Sequence, residues 1–245
     1  MTIDQAIAFS ASIGAFMSAV AAFLAVRQNT KNREASYRPE LAITRTYIVA
    51  STNPICQSSF ADFWREDRKS GDNEGVDLLC ALSLPLRNVG LGAAKEVSLA
   101  WSFPIDDLVK TINNKAQRSL TPAYFEYENE VLSLKSEQLH AVTSMWKNQK
   151  NGFVDYVLPA SSDREGVGIR VPHTYMEIIS ALLFFSAKEN SSSFDSELPE
   201  LKLDIEYSDI GGAKHKSSFN IDLNLIAVLG DGAGFHGYMQ SRRCA

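Results

Sequence analysis

The hydrophobic pattern begins with one long uncharged run. No charged residue occurs from Ala6 to Val26, a stretch of 21 residues. A helix of this length spans roughly 30 Å, which is the thickness of the hydrocarbon core of a bilayer. A cleaved signal peptide carries basic residues ahead of a shorter apolar core, whereas the charge that precedes this run is Asp4. The pattern therefore predicts a retained transmembrane anchor within residues 1–27.

Small residues recur at every fourth position of this run. The members of this small-residue row are Ala6, Ser10, Gly14, Ser18 and Ala22. Such rows let helix backbones approach closely, so the row predicts helix packing in a homo-oligomer, although a plain anchor also tolerates small residues. In a ring of about four or more copies, Ser10 and Ser18 would line a narrow polar pore, with Gln5 at its mouth. Dimerisation explains the spacing equally well.

Basic residues follow the apolar run and set its expected orientation. They are Arg27, Lys31, Arg33 and Arg38. Since basic residues favour the cytoplasmic side of a membrane, we expect the N-terminus outside and the rest of the chain in the cytoplasm. Residues 28–39 are predicted to form a basic linker. Arg27, Lys31 and Arg33 are candidate contacts with anionic lipid head groups.

After the linker, the pattern changes to short runs of strand-forming residues separated by turn residues. Glycine or asparagine at 88–92, 128–130 and 211–212 predicts three hairpins. Helices are expected at 104–116 and, fully buried, at 173–188, with shorter ones at 60–65 and 136–147. This pattern predicts a mainly β fold with inserted helices, an antiparallel β-sandwich-like domain over residues 40–229 behind one N-terminal transmembrane helix. Residues 230–245 are predicted to be a flexible, glycine-rich tail.

Composition narrows the compartment and the partners. The 245 residues carry a formal net charge of -5, which argues against general nucleic-acid binding. Cys56, Cys80 and Cys244 are too few and too scattered for a disulfide framework or a zinc site, and they suit a reducing compartment. We therefore expect no metal and no cofactor.

Motifs that suggest chemistry are weak in this sequence. Residues 232–237 match GxGxxG, but too little chain follows for the βαβ unit that binds a dinucleotide. The four histidines lack the spacing of metal ligands, and no nucleophile-elbow pattern marks a serine. We therefore expect no catalytic residues and no enzyme, with a membrane-bound hydrolase kept as an alternative.

Three pairs of basic residues suggest a ligand instead of a reaction. They are Lys147 with Lys150, Lys214 with Lys216, and Arg242 with Arg243. If several pairs converge in the fold, they would hold a phosphate-bearing small signal. A protein partner is the other candidate for the domain.

Two short motifs carry a resemblance. Tyr37-Arg38-Pro39-Glu40-Leu41 follows the span, and Asn88 to Ala93 precedes Lys95-Glu96-Val97. In this layout the chain resembles small single-span bacterial membrane effectors of anti-phage systems, of which the Hailong effector is one example. The resemblance implies an inner-membrane protein whose cytoplasmic sensor domain controls a pore.

Together, these features suggest three functions. The first is a homo-oligomeric inner-membrane effector, in which the domain senses a signal and the helices form or gate an ion path. The second is a one-pass tether that carries a protein-interaction domain. The third is the membrane-bound hydrolase.

Overall fold

The computed structural model describes residues 3–244 except 53–58, 68–81, 120–122, 137–138, 140–141, 190–197 and 230–231. Within the first helix, it describes no side chains at 5–10 and 32–36.

The apolar run lies in one long helix, α1, from Ile3 to Ser36. The window Ala11–Lys31 has a mean hydropathy of 1.4, and none of it is buried against the rest of the protein. Phe16 and Phe23, for example, are 68% and 67% exposed. Full exposure distinguishes α1 from the core helix of a soluble protein, so its length and composition fit a membrane span or a signal sequence. The predicted linker is itself helical up to Ser36.

The largest sheet has seven antiparallel strands and curls into a half-barrel. Its spatial order is β3-β2-β13-β12-β11-β5-β9. The strands are β2 (Thr46–Ser51), β3 (Phe63–Glu66), β5 (Ala94–Ser102), β9 (Asn151–Val157), β11 (Leu201–Ser208), β12 (Lys214–Leu229) and β13 (Gly234–Arg243).

Two three-stranded sheets and two further helices complete the domain. One sheet has the order β1-β4-β10 and the other the order β6-β7-β8. Their strands are β1 (Leu41–Ile43), β4 (Ser83–Asn88), β10 (Val167–Arg170), β6 (Ala123–Glu128), β7 (Val131–Ser136) and β8 (Thr143–Met145). The helices are α2 (Ile105–Arg118), α3 (His173–Lys188) and one 3-10 turn (Trp146–Asn148).

Helix α3 lies in the hydrophobic core. Every residue from Thr174 to Ser186 is buried. The Trp64 indole of β3 donates to Ser180 Oγ at 2.9 Å, and it packs edge-on against Phe235 of β13 at 5.1 Å between ring centroids. The helix therefore ties two strands of the half-barrel together, and the prediction of a buried helix at 173–188 is confirmed.

The predicted fold class is confirmed as a mainly antiparallel β domain with inserted helices behind one apolar helix. The hairpins β6–β7 and β11–β12 and the helix α2 also form where the sequence indicates them. Each of these elements is specified by local residues, namely a turn between two strand-forming runs or a proline before an amphipathic run.

The predicted hairpin at 88–92 is wrong. Strand β4 pairs with β1 and β10, whereas β5 pairs with β11 and β9, so the two strands lie in different sheets. The expected short helix at 60–65 is also wrong, because Phe63 and Trp64 belong to β3. Both side chains are buried, and strand pairing with β2 overrides the local preference.

Two further predictions are wrong, because the segments concerned pair with other strands. Within 136–147, which we expected to be helical, Thr143–Met145 form β8 and pair with β7. The expected flexible tail contains β13, which lies between β12 and β2. Its buried Phe235 and Met239 show that the domain continues to Arg243. The glycines of the segment obscured this strand pattern.

Candidate functional site at the helix–domain junction

The connection between α1 and the domain is short. Helix α1 ends at Ser36 and β1 begins at Leu41. Pro39 cannot continue a helix, and it also disfavours helical geometry at Arg38. We call residues 37–40, together with the loop 88–92, the junction.

Asn88 is the central side chain of the junction and is only 1% exposed. Its Oδ1 accepts hydrogen bonds from the backbone N–H groups of Glu40 at 3.1 Å and Gly90 at 3.0 Å. Its Nδ2 donates to the carbonyls of Gly92 at 2.6 Å and Val157 at 3.1 Å. An amide side chain has two donor hydrogens and one carbonyl acceptor, and here both ends are occupied. Asn88 therefore joins the start of β1, its own loop and the end of β9.

Two glycines let the loop 88–92 lie directly on the junction backbone. A Cβ at Gly92 would lie 1.8 Å from the carbonyl oxygen of Tyr37, and one at Gly90 would lie 2.3 Å from that of Arg38. Both distances are too short for any side chain. The two sequence motifs, at 37–41 and at 88–93, therefore form one structural unit.

Two other strands reach the same connection. The Tyr207 hydroxyl of β11 donates to the carbonyl of Pro39 at 3.2 Å in a buried hydrogen bond. At the surface, Arg243 of β13 pairs with Glu40 at 3.2 Å. Exposed ion pairs stabilise a fold only weakly, so Asn88 and Tyr207 are the stronger contacts. The connection that follows α1 is therefore held by residues of β4, β11 and β13, and Asn88 of β4 is itself bonded to β9.

An open groove lies between the strands β9 and β10. Both are edge strands of their sheets. The groove has a volume of about 500 Å³, and Leu99, Trp101, Gly152 and Gly168 are among the residues that line it. The other end of β9 lies near the junction, because Val157 accepts a hydrogen bond from Asn88 and Pro159 just after β9 bridges to Asn88.

The register of the two sheets shows which backbone groups face this groove. Trp101 N–H donates to the carbonyl of Lys150. The backbone groups of every second residue starting at Lys150 therefore point toward β5, whereas those of every second residue starting at Asn151 point away from β5. Val171 N–H donates to the carbonyl of Leu82, so the backbone groups of Gly168 and Arg170 also point away from their sheet. The groove therefore lies between two strand edges that present backbone donors and acceptors.

Polar side chains at the start of α3 form one end of the groove. His173 Nδ1 lies 3.1 Å from Glu177 Oε1, and this hydrogen bond raises the pKa of His173, although burial opposes the shift. Gln149 Oε1 accepts from the backbone N–H of Thr174 at 2.9 Å. The polar side chains at this end of the groove therefore already bond to one another or to the backbone of α3.

The predicted basic pairs are mostly neutralised. Lys150 pairs with Glu130, Lys216 with Glu206 at 3.3 Å, Arg242 with Glu200 at 2.8 Å, and Arg243 with Glu40. Lys214 and Lys216 share a shallow cavity of about 590 Å³, but Glu96 and Glu206 line it too. A phosphate-bearing ligand therefore remains a prediction.

The small-residue row on α1 is described only in part. Gly14, Ser18 and Ala22 are exposed, and no atom lies within 4 Å of a Cβ placed at Gly14. Arg27 and Lys31 are exposed as well. The side chains of Gln5, Ala6, Ser10 and Arg33 lie outside the described residues. Helix packing, the pore lining and the lipid contacts therefore remain predictions.

Among the residues that the structure describes, candidate catalytic chemistry is limited to two acid–histidine pairs, His173 with Glu177 and His215 with Asp209. His215 Nε2 lies 3.0 Å from Asp209 Oδ2, and that hydrogen bond lowers the pKa of Asp209. Within the part of the chain that the structure describes, no hydroxyl or thiol bonds to His215 or His173, and no three metal-binding side chains cluster. His140, Cys56 and Cys80 lie outside that part.

Sequence reasoning identified both junction motifs but did not bring them together. The close approach of Gly90 and Gly92 to the residues after α1 is a contact over about fifty positions of the chain, and no local pattern encodes such a contact. Comparison with protein-family models, with curated proteins and with solved structures finds no match for this chain.

Proposed function

We propose that the protein is a single-span bacterial membrane effector, in which the β domain receives a signal and passes it to α1 through the junction. This proposal rests on the contacts between the domain and the residues that follow α1. Only four residues connect α1 to the domain, and two hydrogen bonds hold that connection: a part-buried one from Glu40 N–H to Asn88 and a buried one from Tyr207 to Pro39. A passive anchor needs only a flexible linker.

The groove between β9 and β10 supports the receiving role. Its wall includes strand β9, whose last residue, Val157, accepts a hydrogen bond from Asn88. A ligand that moves β9 would displace Asn88 and with it the backbone of Glu40. Two hydrogen bonds of Asn88, to Val157 and to Glu40, therefore connect β9 to the residues that follow α1.

An oligomer completes the proposed effector. Gly14, Ser18 and Ala22 leave one side of α1 free of large side chains, and close helix packing uses such a side. Several copies would surround an ion path that the domains open or close. Defence against phage is the setting that the sequence resemblance suggests.

The first experiment is the native mass of the full-length protein extracted in mild detergent. The proposal predicts four or more copies, and it predicts that Gly14→Ile reduces the mass to that of a monomer, since the added side chain separates the helix backbones. Ala15→Ile is the matched control, because Ala15 is next to the row but not in it. A monomeric or dimeric wild type would exclude the ion path.

A tether that binds a protein partner is the second candidate, and the groove favours it. Two strand edges whose backbone groups point away from their own sheets suit the addition of an extended peptide. The two candidates differ in what they require of α1. A tether would work with any apolar helix in place of residues 6–26, whereas the effector would lose its function after this exchange.

A further inference from the structure

The groove between β9 and β10 is bordered by backbone groups at regular spacing. On β9, the N–H and C=O groups of Asn151 and Phe153 point away from β5. On β10, those of Gly168 and Arg170 point away from β4. All four residues line the groove, and none of the described strands pairs with these two edges. The groove therefore presents the hydrogen-bonding pattern that an added strand needs.

Strand β9 also lacks the features that usually protect an edge strand. Natural edges are short or carry charged residues, proline or a β-bulge, which prevent pairing with another chain. Strand β3, at the opposite edge of the same sheet, has four residues and includes Arg65 and Glu66. Strand β9 has seven residues, contains Asp155 as its single charged residue, and pairs with β5 without a register shift. Of the two edges, β9 is therefore the one suited to accept a further strand.

The second wall of the groove decides what kind of strand fits. A strand that lies in the groove has β9 on one side and β10 on the other. A strand of a folded sheet already has a neighbour on at least one side, so a second copy of the domain does not fit between these walls. An isolated extended peptide has both sides available. The groove volume of about 500 Å³ is also within the range of sites that bind small ligands.

Gly152 gives the groove an apolar floor. Because this residue has no side chain, the groove reaches Leu99 and Trp101, which are otherwise only 6% and 5% exposed. A Cβ at Gly152 would lie 3.2 Å from Leu99 Cδ1 and would cover that floor. Successive side chains of a strand point to opposite faces, so every second side chain of a bound peptide faces the floor. Apolar residues are therefore expected at those positions of the peptide.

The ionisable residues of the groove are basic. Arg170 and His173 line it, and none of the described lining residues is an aspartate or a glutamate. His173 already pairs with Glu177. Arg170 is exposed, and no described carboxylate pairs with it. Complementary charges across an interface select the partner, so Arg170 favours a peptide with an acidic side chain.

We propose that the groove binds an extended acidic peptide of a partner protein, which adds as a strand beside β9. The peptide backbone bonds to Asn151 and Phe153, and its alternate apolar side chains face Leu99 and Trp101. Its acidic side chain lies near Arg170. This inference deepens the proposed function and rests on the receiving role of the groove, because it names the ligand class of that site.

The test begins with a selection from a random library of short displayed peptides on the full-length protein in mild detergent. We expect the selected peptides to alternate apolar residues and to carry an acidic one. Their affinities are then measured for two variants at one position. Phe153→Pro removes the N–H that points into the groove but no hydrogen bond between β9 and β5. Phe153→Ala is the matched control, because it keeps that N–H.

Phe153→Pro should weaken peptide binding by about tenfold or more, and Phe153→Ala should bind at least about threefold more tightly than Phe153→Pro. Equal binding by both variants would disprove strand addition. If Phe153→Pro also lowers the melting temperature, peptides that are N-methylated at every second nitrogen replace it as the probe. Equal binding of methylated and unmethylated peptides to the wild type would then disprove strand addition.

A charge reversal tests the acidic class of the peptide. Arg170→Glu should weaken binding of the selected peptides about fivefold or more at low salt. Arg65→Glu is the matched control, because it makes the same charge change on β3 at the opposite edge of the sheet. The same affinity in both variants would disprove the acidic class.

The remaining outcomes separate this inference from the proposed function. Peptide binding does not require several copies, so a monomeric wild type that binds the peptides would contradict the effector and support the groove ligand. An oligomer from which no peptide is selected would disprove the groove ligand and leave the effector intact. If Phe153→Pro instead lowers the native mass, a second copy occupies the edge of β9, and the peptide proposal is wrong.

Discussion

At the scale of single residues, Asn88 is the side chain on which the junction depends most. It is buried, and it makes four hydrogen bonds to backbone groups of three segments. Buried backbone groups that lose a partner destabilise a fold more than the hydrogen bond itself stabilises it. The sequence supplies this residue in a motif, but only the fold shows what it bonds to.

We expect Asn88→Ala to lower the free energy of unfolding by about 2–3 kcal/mol, since four backbone groups lose their partner. For a domain of this size, the melting temperature would fall by roughly 5 °C or more. Thermal unfolding of the full-length protein in detergent, followed by circular dichroism, measures this change. Asn114→Ala, at an exposed position of α2, is the control and should leave the melting temperature within about 2 °C. Equal melting temperatures for the two variants would contradict the role of Asn88.

His173 gives a prediction about pH. Its hydrogen bond with Glu177 raises its pKa above the ordinary value of 6.5, so the ion pair stabilises the domain fully below that pH. The stabilisation is lost as the pH rises through the raised pKa of the folded protein. The stability difference between the wild type and His173→Gln should therefore be larger at about pH 5.5 than at about pH 9.

A double-mutant cycle checks the cause of this pH dependence. In a Glu177→Gln background, the His173→Gln substitution should have the same effect on the melting temperature at both pH values. An unchanged pH dependence in that background would assign it to another group.

At the scale of elements, local sequence predicts those that local residues specify. Helix α3 has the predicted bounds, and β11 and β12 form around their glycine turn as expected. The wrong predictions concern elements whose structure depends on pairing with strands that are distant in the sequence. The glycines at 90 and 92 indicate a turn by composition, but their purpose is close contact with residues 37–38. No alternation or turn signal distinguishes these two uses of glycine.

Strand β13 shows the same limit and gives a clear test. It lies between β12 and β2, and its Phe235 and Met239 are buried. Ending the chain after Leu229 removes both side chains and leaves two strand edges unpaired, a loss larger than the usual 5–15 kcal/mol of total stability. We expect no cooperative unfolding transition for this truncated protein. A chain that ends after Arg243 is the control and should melt like the wild type. A cooperative transition in both shortened proteins would instead support the prediction that residues 230–245 are a flexible tail.

At the scale of the whole molecule, the junction connects α1 to the half-barrel, because Tyr207 and Arg243 bond to the residues that follow α1. The end of β9 and the loop after β4 meet at Asn88, which also bonds to the residue before β1. The sequence indicated the span, the β domain and both motifs, but not this adjacency. It depends on β4 and β5 lying in different sheets, which is a property of the complete fold.

The pairing of β13 with β2 also determines the order of events during synthesis. Arg45 and Gln240, which bond to each other at 2.5 Å, are 195 residues apart in the chain. At translation rates of about 5–20 residues per second, roughly 10–40 seconds pass between the synthesis of these two residues. During that interval α1 is already available for insertion, while the half-barrel still lacks an inner strand. If α1 spans a membrane, the chain would therefore be anchored before the domain can complete its half-barrel, and the domain would fold afterwards at the bilayer surface.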